Sequence, residues 1–346
     1  MAARWTNRPE GSTWGDFGPD DENGRLNLLT PERVRAAAAE VRDGRSFCLS
    51  LPLDYPGGNV LNERRHPPRL FSTIREGEPN YNFALERLEA DWTDVVSDDA
   101  VLLHTQYSTQ WDALSHVGAL FDADGDGVAE RVYYNGWRGG EHVVGPAGGA
   151  HGEGCSPYEG AHAHRLGIEK MAQKCVQGRG VLVDLAARYG ERRELVGYDA
   201  LMRIMEEDRV AVEEGDMLCL HTGFAAMVLG MKRQPDPAKL HGACAALDGR
   251  DAKLLQWITD SGIAVLIADN YAVEAYPAAP GRGRHAALPL HEHCLFKLGV
   301  HLGELWHLSE LAAHLRAAGR SRFLLTAPPL RLPGAVGSPA TPIATT

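Results

Sequence analysis

The second half of the chain alternates between short continuous apolar runs and stretches in which apolar residues recur at helical spacing. A short continuous run is typical of a buried strand, whereas the helical period indicates an amphipathic helix. The predicted strands lie in 178–186, 215–223, 263–269 and 322–326, and the predicted helices are 198–207, 251–261 and 309–319. Gly262 closes the middle helix, and Ser309 is predicted to cap the last one. Helices placed between buried strands predict an α/β protein.

The first half of the chain predicts fewer regular elements. Thr30 is a good N-cap and Pro31 suits the first helical position, so a helix is predicted to run to Gly44 within an N-terminal arm of about residues 1–45. A strand is predicted over 47–53. The polar, proline-rich stretch 59–79 could form a mobile loop over a site.

Composition narrows the class of protein. The 346 residues suit one large domain or two closely packed ones, and the interleaved apolar runs favour a single domain, 1–346. The apolar share of 44% and the charged share of 23% exclude disorder and a coiled coil. A net charge of −11 argues against a nucleic-acid or anionic-membrane partner. With no signal-peptide core, no apolar run near ~18 residues and six dispersed cysteines interpreted as buried free thiols, a cytoplasmic protein is expected.

Fifteen histidines raise the question of a metal enzyme, and the segment that ends at His116 has the residues for chemistry. If this segment is a strand that leads into a turn, Gln106, Gln110 and Asp112 lie at even offsets and share one face. A carboxylate beside an imidazole can orient and tune the ring for acid–base chemistry. The alternative is that Asp112 caps a helix that begins at Ala113 and carries His116 on its first turn.

Several segments, in the same order along the chain, carry a resemblance to a known family. They are 13–34 (TWGDFGPDDENGRLNLLTPERV), LSLPLD, TQWDALSHVG, GRGVLVDLA, GDMLCLHTG, ADNYAVEAYP, LGVHLGELWHLSELA and PGAVGSP. With these segments the chain resembles the cyclase family that includes bacterial arylformamidase (kynurenine formamidase) and isatin hydrolase, and it looks most like the longer branch of that family. The resemblance implies a swivelling β/β/α fold with a mixed sheet and flanking helices, and a homodimer or higher homo-oligomer.

The resemblance also implies a metal site, but this chain departs from the family pattern there. Metal-dependent members carry H-x-G-T-H-x-D-x-P-x-H, in which two histidines and the aspartate bind Zn²⁺ or Mn²⁺ and the final histidine is an acid–base residue. The matching positions are Gln106, Gln110, Asp112 and His116, so both ligand histidines are glutamine here. A glutamine oxygen is a weak ligand for Zn²⁺, whereas Mn²⁺, Mg²⁺ or Ca²⁺ accept it more readily. The sequence therefore leaves two possibilities: the site binds Mn, Zn or Mg through Asp112, Gln106 and Gln110, or it binds no metal.

The family also supplies a distal histidine and glutamate. Glu304 matches the glutamate, and the histidine is His291 or His293, with His291 favoured because Pro-Leu-His precedes an apolar helix start. The alternative for Glu304 is a surface helix position. His301 and His307 are interpreted as incidental.

These residues predict an enzyme that hydrolyses a C–N or C–O bond in a cyclic amide, a lactone or an N-formyl compound. His116, Asp112, Glu304 and His291 are the predicted catalytic residues, and a small-molecule substrate would contact Gln106, Tyr107, Gln110 and Trp111. The first alternative is a metal-independent cyclase, dehydratase or isomerase of small-molecule biosynthesis. The second is a binding protein that kept the fold without catalysis.

Two further segments carry weaker signals of a binding site. Asp122, Asp124 and Asp126, followed by Gly127, match the opening of a calcium loop, so Ca²⁺ is a candidate ligand at 122–130, although the twelfth position is Tyr133 instead of glutamate. A solvated acidic turn is the alternative. The glycine-rich run 145–164, which contains His151, predicts a flexible loop in which His162 and His164 are secondary metal candidates and Cys155 is a weak candidate nucleophile.

Overall fold

A mixed sheet is the centre of the fold in residues 4–146 and 160–346, the part of the chain that this computed structural model describes. His151 and Cys155 lie outside the described residues. The nine strands of the sheet, in chain order, are β1 (Ser46–Cys48), β2 (Gln110–Asp112), β3 (Gln177–Asp184), β4 (Met217–His221), β5 (Val265–Ala268), β6 (His301–Glu304), β7 (Arg322–Thr326), β8 (Gly337–Pro339) and β9 (Ile343–Thr345). Their order across the sheet is β1-β9-β7-β3-β4-β5-β6-β2-β8. The central strands β3 to β6 are parallel, and the flanking strands are antiparallel.

Helices and small ladders surround this sheet. The helices are α1 (Pro31–Ala38), α2 (Ile168–Gln173), α3 (Ala186–Tyr189), α4 (Tyr198–Glu207), α5 (Phe224–Gly230), α6 (Pro237–Gly242), α7 (Ala252–Ser261), α8 (Pro289–His291, continued by a wider π-helical turn over Glu292–Leu298) and α9 (Ser309–Ala317). Short 3₁₀ turns cover Gly24–Leu28, Leu85–Arg87 and Tyr134–Gly136. Two-stranded ladders pair Arg69–Ser72 with Asp99–Leu102, Ile74–Arg75 with Glu78–Pro79, Phe83–Ala84 with Val95–Val96, Ala119–Phe121 with Glu130–Val132, Val143–Val144 with His162–Ala163, and Glu194–Val196 with Ala245–Leu247. The predicted α/β fold with a mixed sheet and flanking helices is confirmed.

The central strands are apolar at consecutive positions because both faces of the sheet are covered. In β4, Leu218 and Leu220 enter one hydrophobic core, whereas Met217 and Cys219 enter the core on the opposite face. Successive side chains of a strand point to opposite faces, so a strand covered on both sides needs apolar residues throughout.

Several predicted elements are confirmed and others are shorter. Helix α7 begins after Asp251, whose carboxylate accepts the amides of Lys253 and Leu254, and ends at Gly262 with a φ of 66°. Helix α1 ends at Ala38, before the predicted end, and β1 stops at Cys48. The prediction that Ser309 caps α9 is wrong, because the residue before it occupies the N-cap position and Ser309 is the first helical residue.

The N-terminal arm is part of the folded core. Trp14 is fully buried, its indole N–H donates to the Phe296 carbonyl at 2.8 Å, and its ring meets the Phe296 ring edge-on with centroids 5.2 Å apart. The start of the chain therefore holds the turn Glu292–Leu298 in place. This turn directly follows His291, a predicted site residue at the end of α8.

Replacing Trp14 tests this fastening. We expect Trp14→Ala to lower the free energy of unfolding by about 3–5 kcal/mol, because it leaves a cavity and removes an indole hydrogen bond. The control is Trp92→Ala, since that side chain is 48% exposed. Urea unfolding followed by circular dichroism measures both, and equal midpoints for the two variants would contradict the inference.

The cysteines differ from the sequence interpretation in their burial. All five cysteines within the described ranges are free thiols; Cys219, Cys244 and Cys294 are buried, but Cys48 and Cys175 are exposed. In residues 4–146 and 160–346, every helix is too short or too polar to cross a bilayer.

Candidate active site

Strands β2 and β6 bring three of the predicted residues together. They are antiparallel, with Gln110 directly opposite Glu304, and the Gln110 amide donates to Glu304 Oε2 at 3.2 Å. Asp112 lies two residues along β2 on the same face and is fully buried. The even-offset argument therefore holds for Gln110 and Asp112, and Glu304 lies on a strand instead of a surface helix.

Trp111 lies between these residues in sequence but points the other way. Its side chain is fully buried, its indole N–H donates to the Ala327 carbonyl at 2.8 Å, and its ring packs against Trp306. The prediction that Trp111 contacts substrate is corrected on this ground: an odd offset in a strand places it in the core on the opposite face. Gly303 on β6 leaves room for both rings, because a Cβ there would press on Trp111 and Trp306.

His291 reaches the same place from α8. Its Nε2 lies 3.2 Å from Glu304 Oε1 and its Nδ1 lies 2.8 Å from Glu274 Oε1. Burial opposes protonation of the ring, but the bonds to Glu274 and Glu304 prevail and raise the pKa of His291 to about 10. Burial likewise opposes the charged form of Glu304, and the His291 bond holds the pKa of Glu304 below its usual value. His293 turns away and faces the Thr259 hydroxyl at 2.9 Å.

Glu274 is the residue that sequence reasoning missed. It is fully buried, and it also accepts the backbone amides of Leu290 and His291, which fixes the first turn of α8 beside the site. Its only sequence signal is its position in the segment ADNYAVEAYP, one of those that carry the family resemblance.

Asp112 is the most unusual group of the site. Both of its carboxylate oxygens are buried without a hydrogen-bond partner among the described residues, and so is Gln110 Oε1. Burial, with the charge of Glu304 added, raises the pKa of Asp112 to about 8. A buried carboxylate that lacks donors is costly in a folded protein, so the arrangement calls for a proton or a cation.

His116 completes the group on the accessible side. The chain turns back after β2, with the His116 amide donating to the Ala113 carbonyl at 2.9 Å, so the alternative of a helix capped by Asp112 is wrong. His116 Nε2 lies 3.8 Å from Asp112 Oδ1, and the side chain is 22% exposed. Burial, with the charges of His291 and Arg65 added, lowers the pKa of His116 to about 4, so the ring is neutral at pH 7.

Gln106 precedes β2 in a turn and serves His116. Its amide nitrogen lies 3.3 Å from His116 Nδ1, and its amide oxygen accepts the Thr105 hydroxyl at 2.8 Å. Gly337 of β8 makes room for this amide, since a Cβ there would collide with it. Gln106 thus contacts the acid–base candidate, whereas the predicted ligand role would need its oxygen to turn toward Asp112.

A narrow crevice of about 10 Å³ lies beside Gln106. Arg65, Gln106, Tyr107 and Tyr271 line it, and Arg65 donates to the Gln106 carbonyl at 2.6 Å. The Tyr107 hydroxyl is bound between the Gly57 amide and the Gly58 carbonyl. Part of the stretch 59–79 borders this crevice and becomes regular from Arg69, where a strand ladder begins, and its role as a mobile loop over a site stays a prediction.

The buried donors fit a divalent cation. Single donor atoms of Asp112, His291 and Glu304 lie within 4.8 Å of one another, and the unpartnered Gln110 Oε1 is nearby on the same strand face. Two carboxylates, an imidazole and an amide oxygen suit Mn²⁺, Mg²⁺ or Zn²⁺ in mixed oxygen and nitrogen coordination. Glu274 would hold the far nitrogen of His291, the usual support of a ligand histidine.

The weaker predicted sites stay apart from this group. The carboxylates of Asp122, Asp124 and Asp126 approach within 4.8 Å of one another, but Asp122 already accepts the amides of Gly125 and Gly127. Calcium binding there stays a prediction. His162 and His164 have ring centroids 4.5 Å apart on the ladder that ends the glycine-rich run, and His301 is buried on β6 with a pKa lowered to about 3 by burial.

Comparison with known proteins places the chain in a family. Residues 49–275 match the family model described as "Putative cyclase". A solved structure described as a novel cyclase is 31% identical, with 97% of each chain covered and a TM-score of 0.72. The chain therefore belongs to this cyclase family, and the predicted swivelling fold is confirmed.

More distant structures share the fold. Isatin hydrolase A from Labrenzia aggregata, bound to benzyl benzoate, is 15% identical over 92% of this chain and 98% of its own, with a TM-score of 0.52. Isatin hydrolase A from Ralstonia solanacearum is 14% identical over 91% of this chain and 97% of its own, with a TM-score of 0.55. Comparison with curated proteins gives no match.

Proposed function

We propose that this protein is a hydrolase that opens a C–N or C–O bond in a cyclic amide, a lactone or an N-formyl compound of low molecular weight, with the help of a divalent cation. One observation carries the proposal: the Asp112 carboxylate is buried without a hydrogen-bond partner in the described part of the chain, faces His291 and Glu304, and lies beside the neutral ring of His116. The family membership and the isatin hydrolases that share the fold support the same class of reaction.

Asp112, His291 and Glu304 would hold the cation, with the Gln110 amide oxygen as a further donor. A divalent cation, when bound, supplies Lewis acidity toward a carbonyl oxygen and toward water. Glu274 accepts a hydrogen bond from Nδ1–H of His291, so that Nε2 faces the carboxylates of Asp112 and Glu304. These buried residues leave His116 and the crevice residues to meet the substrate.

His116 would move the proton. Its pKa of about 4 makes the ring neutral at pH 7, and because Nδ1 accepts the Gln106 amide, the ring proton lies on Nε2. As substrate binds, Nδ1 would exchange that amide for the attacking water and take its proton, while Nε2 gives its own proton to the leaving nitrogen or oxygen. Gln106 orients the ring through Nδ1, and Arg65 and Tyr107 would contact the substrate in the crevice.

A second candidate is a metal-independent cyclase, dehydratase or isomerase. The observation that favours it is the separation of two neighbouring pKa values, about 8 for Asp112 and about 4 for His116. At pH 7 this pair offers a protonated acid and a neutral base within 3.8 Å, which is the requirement of proton-transfer chemistry without a cation.

Metal removal and reloading distinguish these candidates. We expect protein dialysed against a chelator to lose turnover of a panel of lactones, cyclic amides and N-formyl arylamines, and to regain it with Mn²⁺, Zn²⁺ or Mg²⁺. Cation binding should release protons at pH 7, because Asp112 and His291 carry them beforehand; calorimetry in buffers of different ionisation enthalpy measures this release. Turnover that survives chelation would support the second candidate. Cation binding without any turnover would support a binding protein.

A further inference from the structure

A second cluster of catalytic residue types lies at the carboxyl ends of β3 and β4, away from Asp112. Asp184 and His221 are the last residues of these strands and are paired in register. His221 Nδ1 lies 2.8 Å from Asp184 Oδ1, and His221 Nε2 lies 3.0 Å from the hydroxyl of Ser309, the first residue of α9. A carboxylate, an imidazole and a hydroxyl are thereby joined in series through the two ring nitrogens.

The neighbours of this cluster favour proton transfer from the Ser309 hydroxyl to His221. Asp184 also accepts Arg316 and the Ala187 amide, so it stays ionised: burial opposes this, but these bonds and the His221 bond lower its pKa to about 2. An ionised Asp184 binds the Nδ1 proton of His221, which leaves Nε2 to accept the proton of the Ser309 hydroxyl.

Asp269 lies near His221 but does not compete with Ser309 for a hydrogen bond to the ring. Its two oxygens are occupied by the Thr222 amide and hydroxyl and by the Gly223 amide, at 2.6 to 2.8 Å. Asp269 Oδ2 lies 4.0 Å from His221 Nε2, beyond hydrogen-bond distance. Burial of His221 opposes protonation, yet Asp184 and Asp269 together raise its pKa above the usual value, which makes the ring a stronger base.

The position of Ser309 gives the hydroxyl access to a ligand. A capping serine would turn its hydroxyl to the amides of α9, but here the hydroxyl points to His221. The amides of Ser309 and Glu310, at the start of the helix, have no acceptor within 4–146 and 160–346. An open cleft of about 600 Å³ is lined by Ser309, His221 and Met227, among others. Free amides at a helix start, beside a hydroxyl, are suited to stabilise an oxyanion.

We infer that Ser309 and His221 are the nucleophile and base of a second hydrolytic site, positioned by Asp184, that cleaves esters of short acyl groups. Ser309 Oγ bonds to the acyl carbon as its proton passes to His221 Nε2; the C–O bond to the alcohol then breaks, and the alcohol oxygen takes that proton. Water repeats the sequence on the acylated serine and releases the acid. No residue of this site belongs to the Asp112 group.

Covalent labelling tests the inference on the full chain. Diisopropyl fluorophosphate should phosphorylate Ser309 to its diisopropylphosphoryl ester, with a new O–P bond, loss of one equivalent of fluoride and transfer of the hydroxyl proton to His221. Peptide mass spectrometry locates the adduct, and a chelator should leave the labelling unchanged because no cation takes part. The same protein should hydrolyse p-nitrophenyl acetate with a burst.

The variants are chosen to separate chemistry from folding. Ser309→Ala should abolish the adduct and the burst, whereas Ser261→Ala, at the end of α7, should keep both. His221→Gln should slow labelling by about 10²–10⁴-fold. For the positioning residue, Asp184→Asn should lower the maximal labelling rate with little change in reagent affinity. The inference would be overturned by an adduct on another residue, or by a Ser309→Ala variant that is labelled as fast as the wild type. Both results count even if His221→Gln fails to fold.

Discussion

Asp112→Asn is expected to make the metal-free protein more stable while abolishing cation binding and hydrolysis. The carboxyl group is buried without a hydrogen-bond donor among the described residues, so the metal-free fold loses stability wherever that group ionises, and a neutral amide of the same shape removes that cost, on the order of 1–3 kcal/mol. The cation loses one of its charged ligands, and the loss of several kcal/mol of transition-state stabilisation corresponds to about three orders of magnitude in rate.

The stability change should depend on pH in a defined direction. Burial and Glu304 raise the pKa of Asp112 to about 8 from a value near 4 in the unfolded chain. A group whose pKa is raised in the folded state contributes stability that is fully present below the unfolded pKa, here about 4, and is lost progressively as the pH rises to the folded pKa of about 8. The gain from Asp112→Asn should therefore be small at pH 5 and largest near pH 9.

Thermal unfolding of chelator-treated protein at several pH values measures this effect, and calorimetry measures cation binding. The control is Asp91→Asn, which removes an exposed carboxylate and should leave the melting temperature, the cation stoichiometry at the Asp112 group and turnover unchanged. A lower melting temperature for Asp112→Asn at pH 9, or retained cation binding, would show that the carboxylate is not the ligand we infer.

His116→Gln is expected to lower kcat by about 10²–10⁴-fold without loss of cation binding. His116 lies outside the group formed by Asp112, His291 and Glu304, so the ligands keep their arrangement when the ring is removed. In the wild-type protein, kcat should fall as the pH drops through about 4, because the imidazole then gains a proton and cannot accept another. Steady-state kinetics with the cation saturating measures both effects.

The control for this variant is His241→Gln, which changes an exposed histidine whose Nε2 contacts the Val60 carbonyl at 3.2 Å. It should keep the wild-type kcat and pH profile. If His116→Gln lost less than about threefold in kcat, proton transfer would have to be assigned to another group.

Local spacing was enough to predict part of the site. The even offset of Gln110 and Asp112 put them on one face, and Glu304 was identified from its segment. The same alternation places Trp111 on the opposite face. Trp111 is a neighbour of Gln110 and Asp112 in sequence, but its side chain lies in the core, away from the site. Glu274 had no local signal, because its role depends on a bond to His291, 17 residues later.

The ends of elements were less predictable than their cores. The apolar runs of β3, β4 and β5 are specified by burial on both faces, which is a property of the residues themselves. Ser309 has the side chain of a helix cap, yet its hydroxyl is oriented by His221 from a distant strand. Tertiary hydrogen bonds of this kind override local propensity and cannot be derived from neighbouring residues.

The imidazolium of His291, bound between Glu274 and Glu304, bears on how the protein matures. A positive charge of the chain itself already lies among the carboxylates that would receive the cation. The newly made polypeptide can therefore complete its fold before it meets the proposed cation, and cation binding would be an exchange of protons for the ion at a site that is already folded. Metal supply and acidity, not folding, would then set the fraction of active molecules.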